Sequence, residues 1–285
     1  MKLPIKSFLI ATFSVLFCLA TAWMYLKSKA NTQLPPRPVR TTFFESSEKF
    51  MVVRVATEMS PDEIKKLSPE TVVWVDTQVS KDGEVIVLAQ HELTNPNYNP
   101  TSSDRTPDVQ LAKLPVRYMN WTDVEKIQPT AKRLEQLFDD QHARRWVINV
   151  VDYSPGFDQI FSDFISKKNA GERIILQSEQ DGPLSDLRKL QPMWLYGTSR
   201  AQIVQTLWLT TLGLEALAPL KGDVLITQLH ASRINQNAVL ATPDLIVEAK
   251  RRSMKVLIGP ALRDEFEEIR KLGVDGVITP ESQQF

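Results

Sequence analysis

Cysteine is almost absent from this chain: Cys18 stands alone in 285 residues, so no disulfide can close within it. Histidine is scarce as well, with His91, His142 and His230 the full set. Four such residues, so far apart, make no Cys/His zinc cluster. Net charge is missing too: 34 Lys and Arg balance 34 Asp and Glu, whereas a nucleic-acid binder carries a marked basic surplus. With 42% hydrophobic and 24% charged residues, the composition is that of a folded chain rather than a disordered one. The length suits one large core, and α/β barrels of roughly 200–250 residues are common.

Charge is also lacking locally. Ser7 to Leu26 is uncharged and mostly apolar, with Lys2 and Lys6 before it and Lys27 and Lys29 after it. Twenty residues at about 1.5 Å rise span about 30 Å, the thickness of a bilayer core. Residues 1–29 therefore read as a membrane segment, in one of two forms. Ala20-Thr21-Ala22 has the small-x-small pattern of a cleavable signal. The apolar run, longer than the roughly 7–15 residues of a signal peptide core, favours an uncleaved signal anchor. The basic N-terminal flank would stay in the cytoplasm, leaving the rest membrane-anchored and extracytoplasmic, or secreted or periplasmic if the signal is cut. Phe17 before Cys18 does not suit a lipoprotein signal, which wants a small residue there. Residues 30–50 form a Pro-rich linker and lead-in, extended over residues 30–40. Residues 1–40 hold six bases and no acid, so the remaining 245 residues carry 28 bases against 34 acids.

From Met51 onward, short β-branched runs alternate with helical patterns. Strand candidates are Met51–Ala56, Val72–Val79, Val85–Ala89, Trp146–Val151, Arg173–Gln177, Met193–Gly197, Asp223–Gln228, Lys255–Gly259 and Val274–Ile278. Helical stretches lie at Pro61–Leu67, Thr130–Arg144, Phe157–Lys168, Leu184–Leu190, Gln202–Leu217, Pro243–Arg252 and Arg263–Leu272. Such alternation implies βαβ units and a parallel sheet. Eight or nine strands in residues 51–285 fit a (β/α)8 TIM barrel behind the N-terminal helix. Thr94–Pro115 is a long irregular insertion. The apolar stretch Val204–Leu220 contains Glu215 and is short for a membrane span, so it reads as a well-buried barrel helix, with a membrane-apposed helix as the sharper option.

Several segments carry a family resemblance. Gly273-Val274-Asp275-Gly276-Val277-Ile278-Thr279-Pro280 resembles the closing motif of glycerophosphodiester phosphodiesterases, in the superfamily of the phosphoinositide phospholipases. Val73 to Val87, with Asp76 and the Asp82-Gly83 pair, resembles that family's E-x-D-v-x-x-T-x-D-G run. Pro129-Thr130 with Leu134-Glu135, and Ile174-Ile175-Leu176-Gln177-Ser178, resemble two further segments in the same order. The resemblance covers about Met51–Pro280. It implies a TIM barrel and hydrolysis of glycerophosphodiesters, with two histidines for acid–base transfer and carboxylates holding a divalent cation.

Carried over residue by residue, most of that machinery is missing. Aligning Pro61 with the family's Pro-Glu-Asn-Thr motif puts Val53, Arg54 and Val55 on its His-Arg-Gly, leaving Arg54 to meet a phosphate. The metal-binding E-x-D pair becomes Trp74 and Asp76. The second histidine falls on Ala89, with His91 two positions further on. Asn149 stands at a lost metal carboxylate and Val151 at a lysine. His230 follows the Asp223–Gln228 strand on the side where barrels keep their active sites. One retained carboxylate gives Mg²⁺ or Ca²⁺ no competent set of ligands, so no cofactor is expected. The favoured expectation is a membrane-tethered, catalytically inactive barrel, a pseudoenzyme that binds or scaffolds. Its expected ligand is a phosphate-bearing small molecule or lipid headgroup, not nucleic acid. The alternative is an active phosphoric diester hydrolase with rearranged or metal-independent catalysis through Arg54, His91 or His230, with Asp76 and Mg²⁺ or Ca²⁺ if a metal is used.

Overall fold

The computed structural model describes residues 5–30, 42–45, 50–88, 92–94, 113–141, 143–228 and 241–280. Its strands, in chain order, are β1 (Met51–Val55), β2 (Val72–Val79), β3 (Val85–Val87), β4 (Glu92–Thr94), β5 (Lys113–Pro115), β6 (Lys132–Arg133), β7 (Trp146–Val150), β8 (Ile174–Gln177), β9 (Leu195–Tyr196), β10 (Val224–Thr227), β11 (Lys255–Ile258) and β12 (Gly276–Thr279). Its helices are α1 (Ile5–Ala30), α2 (Thr42–Glu45), α3 (Pro61–Lys66), α4 (Trp121–Ile127), α5 (Leu134–Asp140), α6 (Phe157–Lys167), α7 (Asp181–Leu190), α8 (Arg200–Thr211), α9 (Pro243–Arg251) and α10 (Phe266–Lys271).

Eight strands run parallel in the order β10-β11-β12-β1-β2-β7-β8-β9. The ends of that row meet at a single bridge, Gly197 to Val224, which closes it into a (β/α)8 barrel. Three hydrogen bonds cross the seam: Thr198 N–H donates to Val224 O at 3.0 Å, Asp223 N–H to Tyr196 O at 2.6 Å, and Tyr196 N–H to Asp223 Oδ2 at 3.0 Å. Side chains alternate inward and outward along each strand. Met51, Val53, Val72, Val147, Ile175, Leu195, Val224 and Leu257 fill the interior, and Phe43 and Phe44 of α2 plug its floor. The outward set packs under the helices: Val73, Val75, Ile148, Leu176 and Tyr196 meet Phe138, Phe157, Phe161, Leu184 and Leu187. Leu225, Val256, Ile258 and Val277 meet Ile203, Leu245, Ala249 and Ile269. Strands buried on both faces explain why the sequence shows continuous apolar runs rather than clean alternation.

Local signals set the helix starts. Ser60 caps α3 by accepting from Glu63 N–H, the Glu63 carboxylate accepts in return from Ser60 N–H at 2.7 Å, and Pro61 fills the first helical position. Ser199 caps α8 and Thr242 caps α9, again with a proline following.

Four expectations from the sequence need correcting. Val85–Val87 is not a barrel strand; it folds back antiparallel on β2 and continues to β6. Thr130–Arg144 yields only the short α5 after β6, and Gln202–Leu217 ends as a helix at Thr211, with a 3-10 turn at Glu215–Leu217. Arg263–Leu272 opens as a 3-10 turn before α10. The ends of the Thr94–Pro115 insertion are tied by an antiparallel ladder, Leu93 opposite Leu114; residues 95–112 lie outside the described residues, as do 31–41 of the Pro-rich linker. Residues 5–30 are helical. Among the described residues, no helix is long and apolar enough to cross a membrane; residues 5–11, 16, 19, 26, 27, 29 and 30 of α1 have no described side chains.

Candidate functional site at the barrel mouth

The inward positions at the C-terminal strand ends open into a cavity of about 620 Å³. Its lower wall is apolar, from Val55, Trp74, Ile226 and Ile278. Above these stand three polar side chains on neighbouring strands. Asp76 is paired with Asn149 across β2 and β7, and Asn149 with Gln177 across β7 and β8. Register and phase thus put Asp76, Asn149 and Gln177 at one level of the mouth.

Asp76 is the hub. Its Oδ1 accepts from the Trp74 indole N–H at 3.0 Å and from the Asn149 amide at 2.7 Å. Its backbone N–H donates to Thr57 Oγ1 at 3.0 Å, and Lys132 Nζ donates to Thr57 O at 3.2 Å, which fixes the loop leaving β1. The next strand position offers Gly197, and the Gln177 side chain lies where a Cβ there would stand, 1.7 Å from its Oε1. Gln177 Nε2 donates to Thr198 O and Ser178 O, both at 3.2 Å. Gln177 Oε1, Thr198 Oγ1 and Gln228 Oε1 are buried there without a hydrogen-bond partner. Glu58, Glu179 and Arg200 complete the polar rim, with Arg200 and Glu179 3.9 Å apart.

This donor set does not fit a divalent cation. An indole N–H only donates, so Trp74 cannot ligate, and it already engages Asp76 Oδ1. Asn149 brings no charge and is likewise turned to Asp76 as a donor. Among the described residues, no group of three or more His, Cys, Asp and Glu is placed to hold a metal.

The sequence candidates are distributed unevenly. Asp76 and Asn149 meet directly at the mouth. Arg54 does not line the cavity: Val53 and Val55 take the inward phase of β1, and Arg54 between them is buried with the outward set. An ungapped motif alignment ignores that phase. His91 and His230 lie outside the described residues. Sequence reading passed over Thr57, Glu58, Glu179, Thr198 and Arg200. The available signal was position, since each follows a strand candidate at its C-terminal end, where a barrel's site residues gather.

No protein-family model matches the sequence, and no curated protein sequence does. Solved structures do. The phosphodiesterase domain of a Mycobacterium tuberculosis protein, described as glycerophosphoryl diester phosphodiesterase, superposes with a TM-score of 0.58 at 13% identity, over 81% of this chain and 96% of that one. A glycerophosphodiester phosphodiesterase from Agrobacterium tumefaciens gives 0.55 at 12% identity, over 82% and 96%. The fold is that of the glycerophosphodiester phosphodiesterases. A phosphodiesterase from Oleispira antarctica, solved with sn-glycerol-3-phosphate, shares that fold at 0.51 and 12% identity, over 80% and 92%. Within the glycerophosphodiester phosphodiesterase fold, the mouth of this barrel is lined by Trp74, Asp76 and Asn149.

Proposed function

We propose that this chain is a non-catalytic binding barrel, built on the glycerophosphodiester phosphodiesterase fold and held to a membrane by α1. One observation carries the first half: Asp76 Oδ1 is satisfied by two N–H donors, from Trp74 and Asn149, at the positions where the resemblance expects metal ligands. A carboxylate oxygen bonded in this way is a structural acceptor, and neither Trp74 nor Asn149 adds the second charge that a hard cation needs beside Asp76. The lining also bears on the ligand. Glu58, Asp76 and Glu179 face one described base, Arg200, and the unpaired Gln177 Oε1 and Gln228 Oε1 call for donors. The mouth thus suits a small hydroxyl-bearing ligand better than a free phosphate. The tether rests on the uncharged run Ser7–Leu26, whose helix of 26 residues is about 39 Å long.

The full chain, purified in detergent, should be assayed against glycerophosphocholine with Mg²⁺, Ca²⁺ or EDTA. No turnover above background is expected under any of the three. Metal-dependent hydrolysis abolished by Asp76→Ala would overturn the pseudoenzyme reading. Intact mass of the membrane-extracted protein separates a retained anchor from a cleaved signal.

A further inference from the structure

Of the helices ringing the barrel, α8 is unlike its neighbours. α6 turns Gln159, Asp163 and Lys167 to solvent, and α9 turns out Asp244, Lys250 and Arg251. By contrast, α8 and the turn after it carry no charge from Ala201 to Leu214. One face does the expected packing, through Ile203 and Leu207. The opposite face exposes Val204, Trp208 and Leu212, one turn apart, at 37%, 71% and 59%, and Leu217 extends the patch. Gln205 and Thr211 flank this uncharged stripe, and a helix with apolar residues on both sides is normally enclosed by protein or faces lipid. The expectation of a well-buried helix at Val204–Leu220 is corrected by this face, where Val204, Trp208 and Leu212 stay exposed.

A second observation says what covers it. The Trp23 indole N–H of α1 donates to Leu212 O at 3.3 Å, joining the end of the stripe to the end of the apolar N-terminal run. Trp23 and Tyr25 are exposed there, just before Lys27 and Lys29. Aromatic residues followed by lysines mark the level at which a membrane helix enters the headgroup region. That level is therefore the level of Leu212.

We infer that α8 is an interfacial membrane contact: Val204, Trp208 and Leu212 dip into the bilayer surface beside α1 and seat the barrel against it. This rests on α1 being the anchor. Because the stripe is uncharged and the exported part is acidic overall, the contact needs no anionic lipid; apolar burial drives it.

The test uses the full chain carrying Cys18→Ser, with Trp208→Cys or, as control, Val247→Cys on the exposed side of α9. Each is labelled with an environment-sensitive fluorophore and reconstituted into phosphatidylcholine vesicles. Both substituted side chains are exposed, and a thermal melt checks that the fold is kept. The probe at 208 should shift to the blue, and a quencher on the upper acyl chain should quench it at least twofold more than the probe at 247. Adding phosphatidylserine should leave this difference unchanged. Equal emission and quenching at the two sites, in protein that floats with the vesicles, would overturn the inference while sparing the anchor. Protein that fails to float would overturn the anchor and the inference together. A blue shift that grows with protein concentration in detergent alone would assign the stripe to a second copy of the chain and also overturn the lipid contact.

Discussion

Asn149→Asp tests the bond between Asn149 and Asp76 at the mouth directly. The substitution changes one donor into an acceptor and places a second carboxylate where an amide now sits 2.7 Å from Asp76 Oδ1. Two effects add. A hydrogen bond to a charged acceptor, of about 1.5–3 kcal/mol, is lost. Two like charges relaxed to about 4 Å repel by about 4 kcal/mol at an effective dielectric of about 20. Protonation of one partner caps the total, because a neutral carboxyl ends the repulsion and can itself donate to its neighbour. A loss of about 2–4 kcal/mol at pH 7 is expected. The sign with pH follows from linkage: the pair has a raised folded pKa, so the penalty is absent below the unfolded carboxylate range, grows as pH rises through the shifted value and then stays constant. Urea unfolding followed by far-ultraviolet circular dichroism at pH 4, 5.5 and 7 reads this out, provided the slope of the transition is unchanged. The bond between Asn149 and Asp76 would be refuted by a variant as stable as the parent at pH 7, or by a penalty that grows on acidification.

Four further outcomes are expected. Trp74→Glu combined with Asn149→Asp rebuilds a carboxylate cluster around Asp76, so Ca²⁺ should raise the melting temperature of the double variant and leave the parent unmoved. Glu248→Gln removes the buried charge, and one of the two acceptor oxygens, that Arg252 reaches at 2.6 Å and Arg251 at 2.7 Å; chemical denaturation should show a loss of about 3 kcal/mol, the low end for a buried pair broken on one side, as Arg251 keeps water. Gly276→Ala would place a Cβ 2.4 Å from Met51 O and 2.8 Å from Met51 Cβ, where β12 meets β1; overpacking of that kind costs about 1–3 kcal/mol, read as a lower denaturation midpoint. Burial raises the Asp82 pKa, but bonds from the Ser80 hydroxyl and Trp121 N–H outweigh it and hold the value below the usual carboxylate range. The stability it contributes is therefore complete above about pH 4 and lost as pH falls below that. Comparing melting temperatures of the parent and Asp82→Asn from pH 6 down to pH 2.5 should show the two converging.

Strand positions were legible because a buried parallel strand is a short apolar run bounded by polar loops, and Val72–Val79 matches the structure residue for residue. The meeting of Asp76 with Asn149 was half legible: each could be assigned to a strand end, but their contact depends on register between β2 and β7, which no local pattern encodes. Arg54 was misplaced for the complementary reason, since a motif aligned by spacing carries no information on which way a strand position faces. The α8 stripe was hidden because an apolar run on a helix reads the same whether its second face meets protein or lipid. Pairing of Leu93 with Leu114 joins residues twenty-one apart across an irregular insertion, a distance beyond the reach of turn signals.

The closure of the barrel has a mechanical side. Where β2 and β7 share five residue pairs and β10 and β11 four, β8 and β9 share two, as do β11 and β12, and the seam between β9 and β10 has a single bridge with three hydrogen bonds across it. A hoop with one slender clasp concentrates its compliance there, so local opening should run through Gly197 and Val224 before any other junction, with the fastest amide exchange in the ring. The chain between those two strands includes α8, which begins at Arg200, two residues after Thr198 at the mouth. Whatever grips the outer face of α8 therefore holds the clasp, and it sets how freely the mouth can breathe.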